Sequence, residues 1–217
     1  FGMLRADPIA PASLAPMAAR VRDGYAVDAT DSTGAALGRI SHVARSAGGH
    51  AIRCDGHITC VATGAVYDYA PFRDLDLTEP SPAALVAALA ERHQLDRLAS
   101  VNGQYAAALY DRAAHQLTLI TDRLASCALH VWQRDGDVVF ATHAYVLLGD
   151  ARILPRVDPA VVVQLQTLQR TIGQSSPIAG VRALPAGAIV EFGRQGHHER
   201  RYWQLAWRKP DFTVTEG

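Results

Sequence analysis

The sequence predicts an α+β domain built in layers, and three observations predict it. Strand-like runs fall into two blocks separated by a well-capped helix, with further helices later, so strands and helices do not alternate strictly. Asp-Gly pairs at 55–56 and 135–136, each between strand-like runs, mark hairpins. Hydrophobic residues make up 49% of the 217 residues and charged residues 19%, enough apolar side chain for a packed core and no signature of disorder.

The elements follow in order. Residues 1–5 read as a short strand. Residues 12–22 carry apolar side chains at helical spacing, with Ser13 as a candidate cap and Pro16 in the first turn. From Tyr25 to Val61 the pattern is strand-like, closed by a hairpin whose two-residue turn is Asp55-Gly56. Residues 81–93 form the clearest helix: Ser81 caps it, Pro82 suits its first position, and Leu85 and Leu89 supply an apolar face. Residues 104–110, 116–121, 128–133 and 137–142 read as strands. Residues 158–168 read as a helix with Asp158 as cap and Pro159 just inside it. Residues 188–192 and 201–205 read as strands, and 208–217 as a linker because no periodicity survives there.

Composition removes several functions. Lys+Arg and Asp+Glu are both 21, so no basic surplus exists to neutralise phosphates, and nucleic acid is not an expected partner. No apolar run approaches the ~18–20 residues of a membrane helix, so no membrane association is expected. The one lysine, Lys209, precedes Pro210, which rules out a Gly-Lys-Ser/Thr phosphate loop; no Gly-x-Gly triplet occurs, which rules out the dinucleotide fingerprint. No Gly-x-Ser-x-Gly elbow occurs either. Three cysteines, an odd number, and the lack of a secretory signal pattern point to a reducing cytoplasm. The chain opens on Phe1-Gly2 without Met, as expected of a processed chain or a piece of a longer one.

Three constellations resemble reactive sites and are read as structural. Cys54-x-x-His57-x-x-Cys60 has the look of a metal triplet, but an Asp55-Gly56 turn would set Cys54 opposite His57 and turn Cys60 to the other face. That geometry also disfavours a Cys54–Cys60 disulfide. His197 and His198 are adjacent in a polar turn and cannot share a metal; no metal is expected. Asp74 and Asp76 lie in a polar stretch with nothing to raise a carboxyl pKa.

Four segments, in order, carry a resemblance. Thr63-Gly64-Ala65-Val66-Tyr67-Asp68-Tyr69 comes first, then Val101-Asn102-Gly103-Gln104-Tyr105-Ala106. Asp122-Arg123-Leu124 precedes Leu129-His130, and Leu184-Pro185-Ala186-Gly187 precedes Tyr202-Trp203. In order and spacing they resemble the class II glutamine amidotransferase domain at the front of asparagine synthetases. The resemblance implies an Ntn-hydrolase-like fold: a four-layer αββα sandwich of two antiparallel sheets between helices. It also implies that 1–207 form this domain and that 208–217 begin a linker to an ATP-pyrophosphatase synthetase domain not contained in the sequence.

In that family an N-terminal cysteine attacks the glutamine carboxamide, with its own α-amine as base. Here Phe1-Gly2 stands where the family has Cys-Gly. Thr63 stands where an asparagine would stabilise the oxyanion, followed by Gly64. Ala65 replaces the glutamate that takes up the substrate's α-amine, and Pro82 aligns with the aspartate that shares that task. Arg39 either keeps the family arginine that holds the substrate carboxylate or is an ordinary strand-edge arginine. Phe1, Gly2, Arg39, Thr63, Gly64, Ala65 and Pro82 thus describe a degenerate glutaminase pocket with no catalytic residue.

An asparagine-synthetase-like enzyme without a working glutaminase would use an amine already in its substrate. The resemblance then implies a lasso peptide macrolactam cyclase, or alternatively a β-lactam synthetase or an asparagine synthetase. ATP and Mg²⁺ would be bound by the synthetase domain, and partners would be that domain, a precursor peptide and the peptide's protease or recognition protein. A non-enzymatic interaction module is the alternative of another class.

Overall fold

The structure is a computed structural model that describes residues 1–6, 13–20, 25–32, 34–42 and 52–206. In chain order the strands are β1 (Gly2–Leu4), β2 (Tyr25–Ser32), β3 (Ala35–His42), β4 (Ile52–Asp55), β5 (Ile58–Val66), β6 (Gly103–Asp111), β7 (Gln116–Thr121), β8 (His130–Arg134), β9 (Asp137–Ala141), β10 (Val181–Ala183), β11 (Ala188–Gly193) and β12 (Gly196–Arg201). The helices are α1 (Ala15–Ala18), α2 (Pro82–Glu91), α3 (Ala144–Leu147) and α4 (Pro159–Leu168). The strands form two six-stranded sheets, ordered β10-β8-β9-β1-β3-β2 and β12-β11-β7-β6-β5-β4. Neighbouring strands in both sheets pair antiparallel.

Strand alternation sorts the side chains into three apolar layers. Leu4, Leu37, Val138 and Phe140 of the first sheet meet Val61, Tyr110, Leu117, Leu119 and Val190 of the second in a central cluster. On the outer face of the second sheet, Cys60, Ala62, Tyr105 and Ile120 pack with Leu85, Val86 and Leu89 of α2. On the outer face of the first, Met3, Ala36 and Val139 pack with Met17 of α1 and Val146 and Leu147 of α3. The result is the expected αββα sandwich. No helix of the described residues is long and apolar enough to cross a membrane.

Local chemistry explains the element bounds. The Ser81 hydroxyl accepts the Ala84 N–H at 3.1 Å and Pro82 opens α2. The Asp158 carboxylate accepts the Ala160 N–H at 2.9 Å at the start of α4. Asp135 and Gly136 both take positive φ, 52° and 83°, as a type I′ turn between β8 and β9 requires.

Three expectations are corrected. The β4–β5 turn is centred on Gly56-His57, because Gly56 takes φ 52° as its first central residue; Asp55 therefore pairs with Ile58, and Cys54 lies opposite Thr59, not His57. Cys60 is buried on the α2 side of the second sheet, and no group of three or more His, Cys, Asp or Glu among the described residues could hold a metal. The last strand covers 196–201, not 201–205. The polar run Gly-His-His-Glu-Arg-Arg is tolerated because β12 is an edge strand with one side in water. At its end the Tyr202 and Trp203 N–H groups turn to the Gly187 carbonyl, at 2.9 and 3.3 Å, and the chain leaves the sheet. The first helix is a single turn, 15–18, with Ser13 reaching only the Ala15 N–H at 3.4 Å; the remainder of the expected 12–22 span lies outside the described residues, as does the linker at 208–217.

Candidate functional site

A cavity of about 380 Å³ opens between the two sheets. Its floor exists because β6 turns two small residues, Ala106 and Ala108, toward the central layer where larger side chains would fill the space. Val61 to Thr63 of β5, Gly38 and Arg39 of β3, Leu129, and Phe140 to His143 with Tyr145 and Val146 make the walls. Phe1 lies at the entrance to β1, the strand between β9 and β3.

Two backbone hydrogen bonds fix Phe1. Its nitrogen donates to the Gly38 carbonyl at 2.9 Å, and the Gly38 N–H donates back to the Phe1 carbonyl at 2.8 Å. The next residue must be glycine. A Cβ on Gly2 would come within 2.5 Å of the Ala36 carbonyl and 2.7 Å of the Phe140 ring. The close approach of β1 to both neighbours thus holds Phe1 at the cavity wall.

The polar groups at the cavity are few. The half-buried Arg39 has a buried Nε that meets no acceptor among the described residues; Asp28 stands opposite it in register. Thr63 faces Ala106 across β5 and β6. The Thr142 hydroxyl and His143 Nδ1 are hydrogen-bonded at 3.1 Å, and the His143 ring meets the Tyr145 ring edge-on, with centroids 5.9 Å apart. Among the described lining residues there is neither a carboxylate nor a thiol. Cys60 is buried on the α2 side of the second sheet. Cys127 packs against the central cluster, where burial and then the Asp122 charge raise its pKa and keep it a thiol.

Phe1, Arg39 and Thr63 therefore come together, while Gly2, Gly64, Ala65 and Pro82 do not line the cavity. Gly64 serves strand packing: its φ is 94°, and a Cβ there would stand 2.0 Å from the Gln104 carbonyl. Ala65 is exposed opposite Gln104, and Pro82 begins α2, which packs on the outer face of the second sheet. Sequence reasoning missed Thr142, His143 and Tyr145. The available signal was a polar pair directly after the apolar run Val138 to Ala141.

Three of the four segments that carry the resemblance converge elsewhere, on a seam at one end of the second sheet. The buried Asp122 carboxylate accepts N–H bonds from Tyr105, Leu124, Ser126 and Cys127 at 2.9–3.2 Å. The Asp122 carbonyl accepts the Gly187 N–H at 2.9 Å. The Tyr202 hydroxyl donates to the Thr121 carbonyl at 2.6 Å and lies 3.3 Å from the Tyr105 hydroxyl. Thr121 Oγ1 donates to the Pro185 carbonyl at 2.7 Å, and the Arg123 guanidinium sits 5.9 Å from the Trp203 ring centre. Four distant stretches of chain are thus tied into one hydrogen-bonded knot.

Residues 3–203 match a protein family described as "Glutamine amidotransferase domain". Two solved structures are similar in fold. One is glutamine phosphoribosylpyrophosphate amidotransferase from B. subtilis, complexed with ADP and GMP: TM-score 0.52, 11% identity, 81% of this chain and 36% of that one. The other is described as the allosteric regulatory enzyme of purine biosynthesis: TM-score 0.51, 12% identity, again 81% and 36%. The chain thus spans little more than a third of either. No curated protein sequence matches it.

Proposed function

The chain belongs to the glutamine amidotransferase domain family, and within it we propose that this is a degenerate member that neither binds nor hydrolyses glutamine and serves as the N-terminal domain of an ATP-dependent, amide-bond-forming enzyme of the asparagine synthetase type. The observation that carries the reading is the chemistry of the cavity. Phe1 stands at the strand position expected of the nucleophile, and no thiol or carboxylate lines the walls among the described residues. A phenyl ring cannot attack a carboxamide. Thr63 offers a short hydroxyl where a carboxamide N–H is expected, and loss of one such donor costs ~10²–10³ in rate. Without a carboxylate, an amino acid's ammonium group would enter an apolar space unpaired, which is unfavourable by several kcal/mol (on the order of 1–3 or more).

What the residues present can do is narrower. Arg39 supplies one cation whose Nε meets no acceptor among the described residues, and His143 supplies an imidazole held by Thr142. These bind or orient; neither is placed to start acyl transfer. ATP and Mg²⁺ chemistry, adenylation of a carboxylate, would belong to the further domain, and this chain takes part as its scaffold. The most specific form of the reading is a lasso peptide macrolactam cyclase, supported by the resemblance alone.

The test uses the protein as its full gene encodes it. Incubation with ATP, Mg²⁺ and the precursor peptide encoded beside it is expected to remove one water from the peptide. Consumption of ATP only with ammonia and an asparagine-pathway substrate would favour an ordinary synthetase. No ATP-dependent amide formation with any carboxylate and amine pair would favour the interaction module.

A further inference from the structure

The described residues carry ten large hydrophobic side chains that are exposed, and six of them fall within 154–172: Leu154, Val157, Val163, Leu165, Leu168 and Ile172. Scattered exposure is ordinary, but this is concentrated on one short stretch. At its centre is α4, Pro-Ala-Val-Val-Val-Gln-Leu-Gln-Thr-Leu, which contains no charged residue. The comparison with α2 is instructive. That helix, Pro-Ala-Ala-Leu-Val-Ala-Ala-Leu-Ala-Glu, has one charge at its end and buries six of its ten residues between the sheet and the surface. Helix α4 has the same length and no charge at all, yet buries Val161 alone. Leu165 and Leu168 continue the Val161 side of the helix at spacings of four and three, and they are 38% and 50% exposed. A helix meant for water carries charges on its outer side; depletion of charge is what marks the core of an interface.

We propose that α4 and the segments flanking it form the docking face for a further domain of the same polypeptide. This rests on the proposed function, which requires such a domain, and on the two fold relatives, of which this chain matches only 36%. A partner in the same chain meets the patch at an effective concentration near millimolar, so contacts too weak to hold a separate chain suffice. The groove beside the helix, lined by Trp132, Leu154, Val157 and Pro159, extends the same face.

The test places single cysteines in the full-length protein and follows their rate of reaction with a maleimide. Leu168→Cys reports on α4, and Asp96→Cys, at a side chain 86% exposed on the α2 side of the second sheet, reports on open surface. The thiol introduced at position 168 is expected to react at least about tenfold more slowly than the one at position 96 in the native protein, and at the same rate after unfolding. Equal native rates in a protein that does contain a further domain would overturn the docking face and leave the proposed function standing. A gene that encodes no further domain would overturn the proposed function, and the docking face with it. As a second measurement, Leu165→Asp with Leu168→Asp is expected to make the boundary between the domains sensitive to protease without lowering the unfolding midpoint of this domain. Unchanged protease resistance would count against the proposal.

Discussion

Phe1 and Gly38 exchange a pair of backbone hydrogen bonds, 2.9 Å in one direction and 2.8 Å in the other, and this places Phe1 at the wall of the cavity between the sheets. Its ring packs against the outer cluster of Met3, Met17 and Val146. Its role is therefore apolar. Phe1→Ala is expected to lower stability by about 1–2 kcal/mol, less than a fully buried phenylalanine because the ring is half-buried. Denaturant titration of both proteins checks it.

Gly64→Ala tests the closeness of β5 and β6. The φ of 94° strains any side chain, and the added methyl carbon would overlap the Gln104 carbonyl at 2.0 Å. The expected loss is at least about 2 kcal/mol, read as a fall in the urea midpoint. A neutral result would mean that the strand pair can open without cost.

Asp122→Asn tests the knot formed by the family segments. The carboxylate accepts four N–H groups with two oxygens. An amide keeps one acceptor and turns an NH₂ donor toward donors. A loss of about 2–3 kcal/mol is expected, together with faster amide exchange at residues 124–127.

Acid stability should report on Asp150. The Arg152 guanidinium, which lies 5.2 Å from the Trp132 ring centre, bonds both oxygens of this buried carboxylate, and those bonds hold the Asp150 pKa below the ordinary carboxylate value of 3.8. Because the folded pKa is the lower one, the stabilisation is fully present above the ordinary value and is lost as pH falls through the folded value. Arg152→Leu is expected to cost about 1–2 kcal/mol at pH 7, with the electrostatic part of the gap to the parent narrowing as pH falls below 3.8. Parallel melts at pH 7 and pH 2.5 measure it.

Much of this fold was legible in the sequence because local chemistry and tertiary placement agree. Ser81-Pro82 and Asp158-Pro159 mark two helix starts, and apolar runs mark β6, β7 and β9. Legibility failed where tertiary context overrides the pattern. The β12 residues are polar because an edge strand allows it, and the β4–β5 turn shifted by one residue because Gly56, not Asp55, takes the positive φ. At the site, Phe1, Arg39 and Thr63 were found through resemblance, since they stand on three different strands of two sheets. His143 and Tyr145 carry no motif and enter the site only because β9 ends beside β1. Pro82 matched by alignment but belongs to a helix on the far side of the second sheet.

Glutamate release from glutamine by the full-length protein bears most directly on whether this cavity is inert. A rate no greater than that of the buffer, unchanged by a thiol alkylator, is the expected result. Release well above that rate, abolished by alkylation, would mean that a reactive thiol serves the cavity after all, and the reading of a degenerate site would fall.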